Sequence, residues 1–77
     1  MYLITLEKLN NVESKQYFDG LIFVNAIDDS CLFKEKIQAL KSFVNAKNLL
    51  NKYKCKYVLK LDKVLNNNII TKQTITK

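Results

Sequence analysis

Three groups of residues carry side chains able to do chemistry: the thiols Cys31 and Cys55, the carboxylates Asp28, Asp29 and Glu35, and the run Lys52-Tyr53-Lys54-Cys55-Lys56-Tyr57. A thiol becomes a nucleophile when a base or a positive field favours its thiolate. Cys31 follows a predicted helix start, but Asp28 and Asp29 oppose that ionisation, and histidine, the commonest general base, is absent. The carboxylates stand where they would hold the exposed N–H groups of a first helical turn, so capping explains them better than acid–base work. Two cysteines without a CxxC spacing, and without histidine, lack the ligands of a structural zinc site. A single glycine excludes a glycine-rich phosphate loop. The expectation is a chain that is not an enzyme, holds no cofactor or metal, and keeps both cysteines as free thiols in a cytosolic setting.

The run at 52–57 alternates cations with aromatics, a composition that lets a surface hold phosphates while bases stack. The competing reading ends the apolar helix face at Tyr53 and starts the inward face of a strand at Tyr57, leaving the lysines to solvate the turn. In either case Lys34, Lys41 and Lys52 on the outer helix face, with Lys56, Lys60 and Lys72 on strands, can form a basic patch. Such a patch binds polyanions without sequence preference and with strong salt dependence. The chain has no arginine, so the bidentate fork that most often reads guanine is missing.

Charge is segregated along the chain. Residues 1–33 hold two lysines against five carboxylates, net −3, and residues 34–77 hold eleven lysines against Glu35 and Asp62, net +9. A field of this shape attracts nucleic acid or an acidic protein face. The abundance of Lys, Asn and Ile is also what an AT-rich coding sequence supplies, so part of the lysine excess has a genomic explanation. Seventy-seven residues, 48% of them hydrophobic, make one α+β domain spanning 1–77 with a marginal core. No apolar run reaches the roughly 18 residues of a membrane span, and the N-terminus has Glu7 and Lys8 inside its apolar stretch, unlike a signal peptide.

The elements that must position these residues follow from periodicity. Residues 2–9 alternate with a period of two and predict a strand, and 10–19 read as a loose polar connection. LIFVNAI at 21–27 predicts a second, central and most buried strand. Asp28-Asp29-Ser30 offers caps for a turn around Cys31 that drops Leu32 and Phe33 into the core. A long helix is expected over 34–53 with Ala39, Phe43, Ala46, Leu50 and Tyr53 on one face, widened by Leu40 and Val44. From Cys55 the period returns to two, with Tyr57, Leu59 and Leu61 inward, and Asn66-Asn67-Asn68 reverses the chain into IITKQTIT. A three-residue loop would set Asp62 opposite Lys72 and Leu59 opposite Ile75. The architecture is ββαββ, an antiparallel sheet with one long helix packed on one face.

A sheet covered on one side leaves the other open. Val58, Val64 and Ile70 would form an apolar stripe there among Lys60, Asp62 and Lys72, suited to a partner or to a second copy pairing through the face or an edge strand. The partner-binding residues that follow are Lys41, Lys52, Lys56, Val58, Lys60, Ile70 and Lys72. Taken together, the short hairpin, Ile27-Asp28-Asp29-Ser30-Cys31-Leu32-Phe33-Lys34 with Ala39 a helical step on, and the strand KYVLKLDKV resemble a pattern of small uncharacterised phage and mobile-element proteins of low-GC Gram-positive bacteria. The resemblance spans about residues 20–65, with Ser30 and Cys31 standing where the pattern has Ala. It implies a small accessory protein that binds and inhibits or redirects a host protein, and it transfers no functional residue. The leading expectation is therefore a non-enzymatic module that docks on an acidic face of a host protein. A nucleic-acid-binding protein using the lysine-rich C-terminal part is the alternative.

Overall fold

The computed structural model describes residues 1–8, 15–52, 56–66 and 68–76. In chain order these form β1 (Tyr2–Lys8), β2 (Lys15–Phe18), β3 (Phe23–Val24), a 3₁₀ turn at Asp29–Cys31, α1 (Lys36–Leu50), β4 (Tyr57–Leu65) and β5 (Asn68–Thr76). The strands make one antiparallel sheet in the order β3-β2-β1-β4-β5, with α1 packed over β1 and β4. The α+β class and the helix on one face agree with the sequence. The strand count rises from the expected four to five.

The helix forms where glycine, proline and carboxylates are all absent, and its buried side is Ala39, Phe43, Ala46 and Leu50, spaced to fall on one stripe. That stripe meets the alternate residues Ile4 and Leu6 of β1 and Tyr57, Leu59 and Leu61 of β4. Phe18 closes the core from β2 and packs on Phe23 of β3, ring centroids 4.9 Å apart. Each such side chain contributes about 1.5–3 kcal/mol by leaving water. Leu40 is half-buried at the rim as anticipated, whereas Val44 points to solvent. Tyr53 and Cys55, assigned to the inward faces of helix and strand, lie outside the described residues.

Residues 21–27 depart from the sequence reading. Only Phe23–Val24 pair, at the sheet edge, and Leu21 and Ile22 are 83% and 59% exposed, so this is neither a central nor a buried strand. The cause is local. Asp19 Oδ1 accepts the N–H groups of Leu21 at 2.8 Å and Ile22 at 2.9 Å, the Asp19 N–H reaches the Ile22 carbonyl at 3.1 Å, and Gly20 takes φ +108°. This side-chain-stabilised turn absorbs Leu21 and Ile22 and lets Lys15–Phe18, read as loop, become the strand beside β1.

The 3₁₀ turn is capped as expected: Asp28 Oδ1 accepts the Ser30 N–H at 2.9 Å and the Ser30 hydroxyl. It is separate from α1, whose N-cap Glu35 makes no side-chain cap bond. Between them Phe33 pairs with Tyr2 through backbone bonds of 2.7 and 2.9 Å, tying the crossover to the central strand.

At the last hairpin Asn66 adopts φ +48°, the left-handed geometry anticipated for this asparagine run. Leu65 pairs with Asn68, so the loop is two residues rather than three. Leu59 still faces Ile75, because the register shifts by one between Leu61 and Asp62. Asp62 consequently faces Thr71, not Lys72, and Lys72 is the extra residue of a bulge.

Candidate binding surfaces

The register distributes the seven residues picked from the sequence over several surfaces. Val58 and Lys60 lie on the sheet face that carries no helix, both half-buried. Ile70 faces Lys63 and so points, with Lys72, to the helix side; the bulge gives Ile69, opposite Val64, the open-face position expected of Ile70. Lys41 is on the outer side of α1, and Lys52 and Lys56 are exposed beyond the helix end and before β4. A single continuous lysine patch is therefore not what the fold builds from these residues.

The open face is less apolar than its composition suggests. Leu3, Thr5 and Asp62 at its centre are nearly inaccessible, Asp62 at 5% exposure. Thr71 donates its hydroxyl to Asp62 Oδ1 at 2.8 Å, and Thr5 reaches Oδ2 at 3.4 Å, so the buried carboxylate is held between neighbouring strands by neutral donors. Lys60 lies along the same face towards Glu7, 3.6 Å away, and Lys15 approaches Glu7 from the other side at 3.7 Å. These are the ion pairs among the described residues, and both are partly exposed and weak. Lys60 is thus occupied by a carboxylate. The most exposed apolar residues of this face are Met1, bonded through its backbone to the half-buried Val64, and Ile69, which pairs with Val64.

The outer side of α1 has a different character. Ile37 and Val44 are 60% and 54% exposed and fall on the same helical stripe as Lys41, directly opposite the buried stripe. Lys36, Lys41 and Lys47 are the charged residues of the helix, and no carboxylate accompanies them. Large apolar side chains flanked by lysines and the neutral amides Gln38, Asn45 and Asn48, with no carboxylate, make a surface that favours an acidic, partly apolar counterpart. Helical periodicity puts Val44 at the core's shoulder, and the fold instead turns it to solvent beside Ile37.

Two concavities stand out among the described residues. One, of about 350 Å³, lies between the end of α1 and the β2–β3 hairpin, with Leu6, Ile22, Phe23, Leu49 and Tyr57 in its wall. The other, of about 270 Å³, is at the start of α1 and brings together Lys36, Lys63 and Lys72 beside Tyr2, Leu40 and Gln73. Of these residues only Lys72 is a site residue expected from the sequence, and the expectation sets it on the opposite face.

Cys31 is a buried free thiol, and its burial pushes the pKa above the ordinary thiol value. This is the reverse of what a nucleophile requires. The carboxyl of Asp28 is held below its usual range chiefly by the Ser30 hydroxyl, and that of Asp19 by the Ile22 and Leu21 N–H groups. Both act as caps. Among the described residues no three His, Cys, Asp or Glu side chains cluster closely enough to hold a metal ion. Among the described residues no helix is long and apolar enough to cross a membrane. No protein-family model, curated protein or solved structure matches this chain.

Proposed function

We infer that this chain is a small, non-enzymatic binding protein, encoded by a phage or mobile element, that modulates or inhibits a host protein in the host cytoplasm by docking on an acidic face. The observation that carries this reading is the outer side of α1, where Ile37 and Val44 are exposed beside Lys41 and no carboxylate is present on the helix. Lysines steer the encounter, and buried apolar anchors set the lifetime of the complex. Basic charge alone would serve nucleic acid equally well, but phosphate binding makes no use of two solvent-facing branched aliphatic residues. The resemblance to phage and mobile-element proteins over residues 20–65 supports the class of partner.

A gel-shift titration at about 0.15 M salt separates the two readings, because exposed charges are then screened beyond roughly 8 Å. The protein should bind duplex and single-stranded nucleic acid only weakly, with affinity collapsing as salt rises. Micromolar or tighter binding that is abolished by the joint changes Lys41→Glu, Lys52→Glu, Lys56→Glu and Lys60→Glu would replace the protein partner with nucleic acid.

A further inference from the structure

The cavity at the start of α1 draws its lysines from three elements: Lys36 from the first helical turn, Lys63 from β4 and Lys72 from the β5 bulge. No carboxylate lines it, and none of the three ammonium groups has an ion-pair partner among the described residues. Like charges converging on one space repel, and a cation in the first turn of a helix is further opposed by the helix dipole. An anion relieves both costs. The bulge strengthens the point. With the unshifted register, Lys72 would lie opposite Asp62 on the other face; the one-residue shift pairs Asp62 with Thr71 and turns Lys72 into the cavity next to Gln73.

We propose that this cavity binds the phosphate group of a small phosphorylated ligand, a nucleoside monophosphate in class. The three lysines that line the space supply ammonium groups for the dianion, Gln73 adds a neutral donor to the lining, and the half-buried Leu40 and Tyr2 give the organic body an apolar edge. At about 270 Å³ the space approaches the lower end of the ~300–1,000 Å³ typical of ligand pockets, more than a bare phosphate fills. The site is distinct from the outer face of α1 centred on Lys41 and stands or falls without the docking reading.

The test is a titration of the isotope-labelled full chain followed by amide NMR at a constant ionic strength of about 0.15 M, with adenosine 5′-monophosphate, inorganic phosphate, acetate and chloride as separate arms. Adenosine 5′-monophosphate should give saturable shifts centred on Tyr2, Lys36, Lys63, Lys72 and Gln73, with inorganic phosphate weaker at the same residues. Lys63→Gln and Lys72→Gln should each weaken binding about tenfold, the scale of one charge-assisted hydrogen bond, while Lys41→Gln changes nothing. Equal affinity for the nucleotide and bare phosphate would overturn the organic body. Equal response to acetate or chloride, or an equal loss in Lys41→Gln, would overturn the site.

Discussion

Phe43→Ala removes the largest side chain from the buried stripe of α1, at a point where helix, β1 and β4 share one core. Phe43 is 4% exposed, so its truncation forfeits almost the whole transfer free energy of the ring and leaves a cavity that the sheet cannot close. Substitutions of this kind cost about 3–5 kcal/mol. A 77-residue domain has about 4–12 kcal/mol in total at the usual stability per residue. In urea, with a slope of about 1 kcal/mol/M for a small domain, the midpoint should fall by about 3 M or more, or the variant should be unfolded without denaturant. Ile37→Ala, on the same helix but 60% exposed, is the internal control and should stay within about 0.5 kcal/mol of the parent. Equal midpoints for the two variants, or a Phe43→Ala protein as stable as the parent, would show that α1 does not pack through this face.

Other outcomes follow from the hydrogen bonds and titrating groups. Thr71→Val leaves the buried Asp62 with only the long contact from Thr5 and should cost about 1–2 kcal/mol in chemical denaturation, whereas Thr5→Val should cost less. Because Asp19 and Asp28 have lowered pKa values, their contribution is complete above the unfolded carboxylate value of about 3.9 and is lost as pH falls through the lower folded values. Asp19→Ala and Asp28→Ala should therefore flatten the acid limb of a melting-temperature profile. Cys31 should react slowly with a thiol reagent in the native protein and rapidly in denaturant, and Cys31→Ala should keep binding intact. Its raised pKa has the opposite sign to the carboxylates, so its contribution disappears as pH rises past the ordinary thiol range.

The legible parts of the fold were those with long, uninterrupted periodicity. Ala39, Phe43, Ala46 and Leu50 repeat over three helical turns, and Tyr57, Leu59 and Leu61 alternate over a nine-residue strand, so each element identifies its own inner face. Residues 15–24 were not legible in this way. Phe18 is the one fully buried side chain of a four-residue strand, and an apolar run such as LIFV does not reveal that the Asp19 carboxylate will bend its first half into a turn. The candidate sites were harder still. Lys36, Lys63 and Lys72 have no common spacing, and the bulge that turns Lys72 from one face to the other depends on how two strands match rather than on either strand alone. Ile37 and Val44 carried a signal that could have been read: apolar residues on the polar side of an otherwise amphipathic helix.

The docking claim is tested most directly by affinity capture from host lysate, comparing the parent chain with an Ile37→Asp/Val44→Asp variant and with Lys41→Glu, each with and without nuclease. The parent should retain one discrete protein that nuclease does not release. The double variant should lose it while keeping the parent's far-ultraviolet circular dichroism and melting behaviour, since both positions face solvent. Lys41→Glu should mainly slow association with the recovered partner. Retention of the same protein by the Ile37→Asp/Val44→Asp variant at parental levels, or release of all bound material by nuclease, would contradict the assignment of the outer face of α1 as the docking surface.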